Sequence, residues 1–375
     1  MSSLASQLLT WFDLHGRTNL PWQATYSSPL GGQATYSTGD LQQSSRRSPL
    51  GGQIGQKSQP NVYHVWLSEV MLQQTQVDTV IDYFNRFIHH FPTLKSLADA
   101  SEDAVLAQWA GLGYYARARN LHKTAKIIMH DYQGNFPQIF EQVLALPGIG
   151  KSTAGAILAL GFNQRQAILD GNVKRVLSRV HQLKGHYAQS SVLKELWRLA
   201  EYHTPEVRVD HYTQAIMDLG ATLCTRAQPK CSHCPISTMC SSYKNQTQAH
   251  YPEAKPKKLK PSRSIAMLIF MNDNKIHLQK RPDKGIWGGL WSFVECEDSA
   301  QSIEKSIRQF DPLAEIVKHL PIFKHTFTHY HLHIHPIIVN CYSTQAEFYP
   351  PDNLKFGVPK PVETLIAQMT RSADN

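Results

Sequence analysis

Four of the six cysteines in the chain are crowded into one short segment. They follow the spacing C-x6-C-x2-C-x5-C, at Cys224, Cys231, Cys234 and Cys240. Four thiolates can close a tetrahedral zinc site or hold a cubane [4Fe-4S] cluster, and geometry alone does not choose between them. Zinc sites more often pair two C-x2-C units, whereas this segment has one, so the spacing favours an iron–sulfur cluster.

Composition indicates an intracellular protein with a polyanionic partner. The 375 residues, of which 42% are hydrophobic, are enough for two or more domains. No stretch approaches the roughly 18 apolar residues of a membrane helix, and residues 1–16 lack the pattern of a signal peptide. A formal net charge of +9 leaves nucleic acid and a membrane surface open as partners. The motifs of the chain decide between these two partners and favour nucleic acid, so we expect a cytoplasmic protein that does not bind membranes.

Hydrophobic periodicity predicts two folded domains. From Val62 to about Tyr243 the pattern is helical almost throughout, with short Gly and Pro breaks, and residues 1–244 should form a mostly α domain with one interruption. Residues 245–263 are predicted to form an extended basic linker. Residues 264–375 contain short, partly alternating apolar runs and one helical stretch near Ser302–Phe310, which predicts a smaller α+β domain.

The helical domain is interrupted by a segment of low complexity. A helical period over residues 4–15 ends at Leu20-Pro21-Trp22, and residues 23–60 are then rich in Gly, Ser and Gln and partly repeat themselves. This composition cannot bury enough apolar area to offset the entropy of ordering. It predicts a disordered surface insertion, which adds little loop-closure cost.

Residues 146–154, Leu-Pro-Gly-Ile-Gly-Lys-Ser-Thr-Ala, lie between two helical stretches. Gly148 and Gly150 would let backbone N–H groups at a helix start approach a phosphate, and Lys151 adds a cation. The pattern is a helix-hairpin-helix signature, which grips a nucleic-acid backbone without reading its sequence. A plain corner between two helices is the alternative interpretation.

Two carboxylates are candidates for acid–base and electrostatic chemistry. Glu69 shares a helix face with Val65, Trp66 and Leu72, and an apolar shell raises a carboxyl pKa, so Glu69 is a candidate general acid. Asp170 lies where an apolar run ends and a helix begins. It is either a helix N-cap or an ionised group that stabilises a developing oxocarbenium sugar. A solvated Glu69 is the alternative for that residue.

Gln73, Gln74 and Tyr114 are candidates to enter a base stack when a nucleotide is flipped out. Each is a weak signal by itself. Tyr114 and its neighbour Tyr115 fit equally well as aromatic residues that pack between helices.

Taken together, the segment Leu67–Thr75, the Gly111–Tyr115 run, the hairpin, Asp170 and the cysteines resemble the MutY-type adenine DNA glycosylases of the endonuclease III superfamily. The hairpin, the aspartate and the cysteines are shared across that superfamily, so they indicate a DNA glycosylase without its substrate. The Leu-Ser-Glu-Val-Met-Leu-Gln-Gln-Thr segment is the part that resembles MutY specifically.

The resemblance implies a monomeric base excision repair enzyme that flips out adenine mispaired with 8-oxoguanine or guanine in duplex DNA. It implies that Glu69 protonates adenine N7, that Asp170 stabilises the sugar and that Asn172 supports the site. It further implies that Gln74 and Tyr114 wedge the stack. Ser152 occupies the position of the Schiff-base lysine in lyase-competent relatives, which predicts base removal without strand cleavage.

The second domain resembles the MutT-like (Nudix-like) domain with which MutY enzymes recognise 8-oxoguanine. It lacks the G-x5-E-x7-R-E-x2-E-E helix that binds magnesium in a Nudix pyrophosphatase, so the sequence favours recognition over hydrolysis. Phe327, Thr328 and His329 fall in the lesion-sensing loop, with Thr328 where a serine is common.

Other interpretations remain at this stage. An endonuclease III-like enzyme with lyase activity is disfavoured by Ser152, and a noncatalytic DNA-binding protein by Glu69 with Asp170. A Nudix hydrolase is disfavoured by the missing carboxylate helix. His331, His333 and His335 alternate along a predicted strand, which fits a metal site or, more simply, a polar strand face.

Overall fold

The computed structural model describes residues 3–23, 60–255, 259–342 and 346–373. The predicted insertion over residues 23–60 therefore lies almost wholly outside the described residues and stays a prediction. Gln23, the first residue of the predicted insertion, is described and belongs to a short helical turn over Pro21–Gln23. The Gln23 amide donates to Arg17 O at 2.9 Å and to Gln214 Oε1 at 3.1 Å, so this residue is part of the ordered structure.

The described residues up to 255 are mainly helical, as predicted. In chain order they are α1 (Leu4–His15), α2 (Val62–Leu72), α3 (Val77–His90), α4 (Leu94–Asp99), α5 (Glu102–Trp109), α6 (Ala116–Asp131), α7 (Phe140–Leu144), α8 (Lys151–Phe162), α9 (Gly171–Val180), α10 (Ser190–His203), α11 (Val209–Asp218) and α12 (Ser241–Lys244). A π-helical turn over Leu219–Leu223 follows α11. Within the described ranges, no helix combines the length and apolarity needed to cross a bilayer.

The chain forms two compact units. The first comprises Met1–Glu69 and Gly150–Pro252, and the second Val70–Ile149 and Glu253–Asn375. In the first unit, α1 begins after Ser3, whose side chain accepts the Ser6 N–H at 3.1 Å. Its apolar stripe packs in a core formed with residues of α9, α10 and α11.

The second unit contains helices α3 to α7 and the C-terminal α+β part. The remaining elements are β1 (Ser262–Asn272), β2 (Lys275–His277), β3 (Gln279–Lys280), β4 (Trp291–Ser292), β5 (Val294–Glu297), α13 (Ala300–Phe310), β6 (Glu315–His319), β7 (Phe323–Thr326), β8 (His331–Asn340), β9 (Phe348–Tyr349) and α14 (Lys360–Ala373). The main sheet has the order β6-β8-β1-β2-β9, with β5 also on β1 and β7 also on β8. β1 and β8 are parallel, and the other pairs are antiparallel.

The predicted linker is shorter and less extended than expected. A helical turn occupies Gln248–His250 and β1 already begins at Ser262. The backbone oxygens of Gln248 and Tyr251 accept hydrogen bonds from buried Arg179, at 3.1 and 3.0 Å. These contacts hold the first residues of the predicted linker against the first unit, so the extended interpretation is wrong for them.

Candidate active site

Glu69 lies in the last turns of α2, in the first compact unit. The preceding residues Val65 and Trp66 are buried as predicted, and Glu69 itself is partly buried. Burial, and then the nearby carboxylate of Asp170, raise the pKa of Glu69 to about 8. The side chain can therefore hold a proton near neutral pH, as a general acid must.

Asp170 is the N-cap of α9, so the first of its two predicted roles is confirmed. Its carboxylate accepts the Val173 N–H at 2.8 Å and the Asn172 side-chain amide at 3.2 Å. Burial raises the pKa of Asp170 above its ordinary value, while these two donors act in the opposite direction. The capping donors favour the ionised form of Asp170. Among the described residues, no N–H or O–H group donates a hydrogen bond to the Glu69 carboxyl group.

Two further side chains hold the Asp170 region in place. The hydroxyl of Ser152, in the first turn of α8, accepts the Leu169 N–H at 2.9 Å, next to Asp170. Asn172 in turn accepts a hydrogen bond from Arg175 at 2.9 Å, and Arg175 donates to the backbone oxygen of Cys224 at 2.7 Å. Sequence reasoning missed Arg175, because an arginine in an amphipathic helix has no signature that separates this position from a solvated one.

The two glycines before α8 occupy a tight turn and the start of the helix. Gly148 has φ of +77°, and a Cβ atom there would lie 2.8 Å from the Asn120 Cβ, so a larger residue does not fit. Gly150 is the N-cap of α8 and makes no side-chain cap, which leaves this helix start suited to an anion. Lys151 donates to Glu201 at 3.0 Å and lies 4.0 Å above the Trp197 ring, so this cation already has protein partners.

Gln74 and Tyr114, in the second compact unit, share an unusual backbone conformation. Both have positive φ, 61° and 50°, which costs free energy for residues other than glycine. Gln74 is exposed and Tyr114 is 46% exposed, whereas Tyr115 is buried. The structure thus separates the two tyrosines: Tyr115 packs inside, and Tyr114 is available to a ligand. Gln73 is only partly buried and its backbone oxygen accepts from Arg117.

The four clustered cysteines line one pocket in the first unit, together with apolar residues of α9 and the π-helical turn. Arg179, which is 3% exposed, donates to the Cys224 sulfur at 3.3 Å, and Gln248 donates to the Cys231 sulfur at 3.6 Å. Burial raises the pKa of Cys234 to about 12. Among the described residues, no three His, Cys, Asp or Glu side chains are arranged to hold a single metal ion.

The turn between β7 and β8 carries the predicted lesion-sensing residues. Phe327 is half-buried and stacks on Tyr330 at 4.7 Å, while Thr328 and His329 are exposed. Along β8, His331 contacts Thr326 at 3.0 Å and His335 contacts Asp298 at 2.8 Å. Because these histidines have separate partners, the geometry favours a polar strand face over a shared metal site.

Comparison with known proteins identifies the family. Residues 67–201 match the HhH-GPD superfamily base excision DNA repair protein family, and residues 265–368 match the NUDIX domain family. An adenine DNA glycosylase of Buchnera aphidicola subsp. Schizaphis graminum is 34% identical, over 96% of this chain and 96% of its own length. The adenine DNA glycosylase of Mus musculus is 32% identical, over 88% of this chain and 69% of its own length. The chain therefore belongs to the adenine DNA glycosylase family and is a DNA glycosylase, a hydrolase with an HhH-GPD domain and a NUDIX domain.

Proposed function

We propose that this enzyme excises adenine from duplex DNA in which adenine is mispaired with 8-oxoguanine or guanine, and that it does not cut the strand. The observation that carries the proposal is the pair of carboxylates in one unit, of which Glu69 has a pKa raised to about 8. Glycosidic bonds are commonly broken by two carboxyl groups whose environments give them different protonation states. We propose adenine as the excised base because the similar proteins are named adenine DNA glycosylases.

Glu69 is assigned as the general acid. It donates its proton to N7 of a flipped adenine, which weakens the bond between the base and the sugar. Positive charge then develops on the sugar, and the Asp170 carboxylate stabilises it electrostatically. After the base has left, Glu69 accepts a proton from the incoming water, so the acid is regenerated when water replaces the base.

The absence of strand cleavage rests on Ser152. A lyase reaction needs an amine that attacks the sugar, and at this position the chain has a hydroxyl that already accepts the Leu169 N–H. The amine of the neighbouring Lys151 is paired with Glu201 at 3.0 Å, so it already has a protein partner.

Recognition of the mispair is assigned to two surfaces in the second unit. Gln74 and Tyr114 are exposed on strained backbone, as expected of side chains that enter a base stack. Thr328 and His329 are exposed polar groups at the β7–β8 turn, and the Thr328 hydroxyl can hydrogen bond with an oxidised purine. The hairpin glycines at 148 and 150 are assigned to the DNA backbone.

The cysteine pocket is assigned to a [4Fe-4S] cluster held by Cys224, Cys231, Cys234 and Cys240. The donor set fits, since the four thiols line one pocket and two sulfurs accept hydrogen bonds from Arg179 and Gln248. Such N–H donors stabilise the charge of a thiolate-bound cluster. When bound, the cluster would act as a structural crosslink for residues 224–240.

The test uses purified protein and a labelled duplex that contains one 8-oxoguanine:adenine pair. We expect product only after alkali, and no adenine release by Glu69→Gln or Asp170→Asn, while both variants still bind the duplex. Glu195→Gln is the matched control, because Glu195 is a partly exposed glutamate in the same unit whose partner is Arg198. Strand cleavage without alkali, or full activity of either active-site variant, would disprove the mechanism.

A further inference from the structure

Arg117, in the first turn of α6, is a buried arginine to which the chemistry above gives no role. Its side chain is among the few charged groups buried in the described residues, at 8% exposure. Burial lowers the pKa of Arg117 to about 10, which still leaves it charged at neutral pH. A buried charge without compensation is costly, so the groups that surround this guanidinium should show its purpose.

The guanidinium joins two segments that are far apart in sequence. One terminal nitrogen, Nη1, donates to the backbone oxygens of Val70, Met71 and Gln73, at 3.0, 2.8 and 2.6 Å. The other, Nη2, donates to the oxygens of Leu112 and Gly113 at 3.2 and 3.1 Å, and to Thr75 Oγ1 at 3.3 Å. Five backbone oxygens and one hydroxyl therefore converge on one side chain.

Both of these segments, 73–75 and 111–114, contain unusual backbone conformations. Gln74 and Tyr114 have positive φ, as do Gly111 and Gly113. Such conformations persist only where the surroundings determine them. Arg117 supplies that determination, because its partners lie directly beside Gln74 and Tyr114 along the chain. Its charge also lies 5.6 Å from the centre of the Tyr114 ring, within the range of a cation–π contact.

We infer that Arg117 is a positioning residue for mispair recognition: it fixes segments 73–75 and 111–114 together so that Gln74 and Tyr114 are presented as one unit. The inference rests on the proposed function and extends it. The four terminal N–H groups of a planar guanidinium point in fixed directions and can be shared among the six acceptors, whereas a lysine ammonium offers three hydrogens from one point. Lysine should therefore replace the charge of Arg117 but not its function.

The test compares wild type with Arg117→Met and Arg117→Lys. Arg308→Met is the control, since exposed Arg308 also donates to two backbone oxygens, of Pro312 and Ala314. Fluorescence anisotropy measures affinity for a mispaired and for a fully paired duplex of the same length. We expect both Arg117 variants to lose about tenfold in the ratio of the two affinities, with less than about a twofold change on the paired duplex and no change in Arg308→Met.

Hydrogen exchange without DNA gives a second readout that does not depend on the proposed function. Amides of both segments should exchange about tenfold faster in the Arg117 variants, while those of α3 keep their protection. Equal losses on the two duplexes, or an unchanged ratio in folded Arg117→Lys, would overturn the inference even if Arg117→Met does not fold. If wild type shows no preference for the mispair, the proposed function fails, and unchanged exchange in both segments would reject the positioning role separately.

Discussion

Glu69 makes excision dependent on pH in a defined direction. Only the protonated side chain can donate to the base, and its pKa is raised to about 8. We expect kcat/KM for adenine release to be flat below this value and to fall about tenfold per pH unit above it. Rates measured from about pH 6 to about pH 9.5 test this. A profile that rises through pH 8 would mean that Glu69 acts first as a base.

The raised pKa of Glu69 also predicts a penalty in stability. An unfolded Glu69 has a pKa near its ordinary 4.5, whereas the folded value is about 8. Between these values the folded state keeps a proton that the unfolded state releases, so the free energy of unfolding falls as pH rises. The loss is at most about 1.4 kcal/mol for each pH unit of this interval. Glu69→Gln should remove this slope, and urea unfolding at about pH 5 and about pH 8.5 measures it.

Single residues differ in how far the sequence could predict them. Glu69 and Asp170 stand in recognisable segments, and the structure places both in one unit with an electrostatic interaction between them. Arg117 did not emerge from the sequence, because it alternates with Arg119 in a helix start and only tertiary packing shows which one is buried. Burial of a charge depends on partners distant in the chain, and a local pattern does not contain that information.

At the scale of elements, an ion pair with a buried carboxylate connects the end of α1 to α11. Arg17, just after α1, donates from its backbone N–H and guanidinium to Asp218, at 2.7 to 2.9 Å. Asp218 is 1% exposed. Asp218→Asn removes the charge that accepts these three hydrogen bonds from Arg17. Hydrogen bonds to a charged group contribute about 1.5–3 kcal/mol, so the substitution should lower the free energy of unfolding by about 2 kcal/mol.

The matched control is the surface pair of Lys95 with Asp99, whose side chains are 68% and 63% exposed. Exposed pairs contribute little, so Asp99→Asn should change the free energy of unfolding by less than about 0.5 kcal/mol. Urea denaturation of both variants gives the comparison. Similar losses in the two would show that burial does not set the strength of the Arg17–Asp218 pair.

The cysteine segment gives a prediction about metal content. A [4Fe-4S] cluster requires about four iron atoms and about four acid-labile sulfides per chain, whereas a zinc site requires about one zinc. Elemental analysis of the protein purified without oxygen distinguishes them. We expect Cys231→Ser to lose iron, and Cys296→Ser, which changes a cysteine outside the segment, to retain it. Zinc at about one per chain would reject the cluster.

Elements with one strong local signal were predictable, and those fixed by neighbours were not. The helix over residues 4–15 coincides with α1, since its apolar period and its Ser3 cap are both local. The apolar run at 291–294 is instead split into β4 and β5, which pair with different strands. Pairing partners are remote in sequence, so a run of apolar residues does not show where one strand ends and the next begins.

At the scale of the whole molecule, the net charge of +9 has to be divided between the predicted insertion and the rest of the chain. Residues 24–59 contain Arg46, Arg47 and Lys57 with a single acid, Asp40, so most of the positive charge lies elsewhere. Lys and Arg side chains that contact DNA phosphates release the counterions of the DNA, which raises the affinity of the protein for DNA of any sequence. The insertion should therefore add to nonspecific binding and leave mispair recognition unchanged.

Replacement of residues 24–59 by a short Gly-Ser linker tests this division. Loop length changes closure entropy by only about 0.6 kcal/mol per doubling, so the melting temperature should stay nearly constant. Affinity for fully paired DNA at low salt should fall. In a plot of the logarithm of the binding constant against the logarithm of salt concentration, the magnitude of the slope should decrease by about two. The rate of adenine release from the mispair should not change. A faster rate would instead show that the insertion obstructs the substrate, because removing nonspecific contacts cannot by itself speed the chemical step.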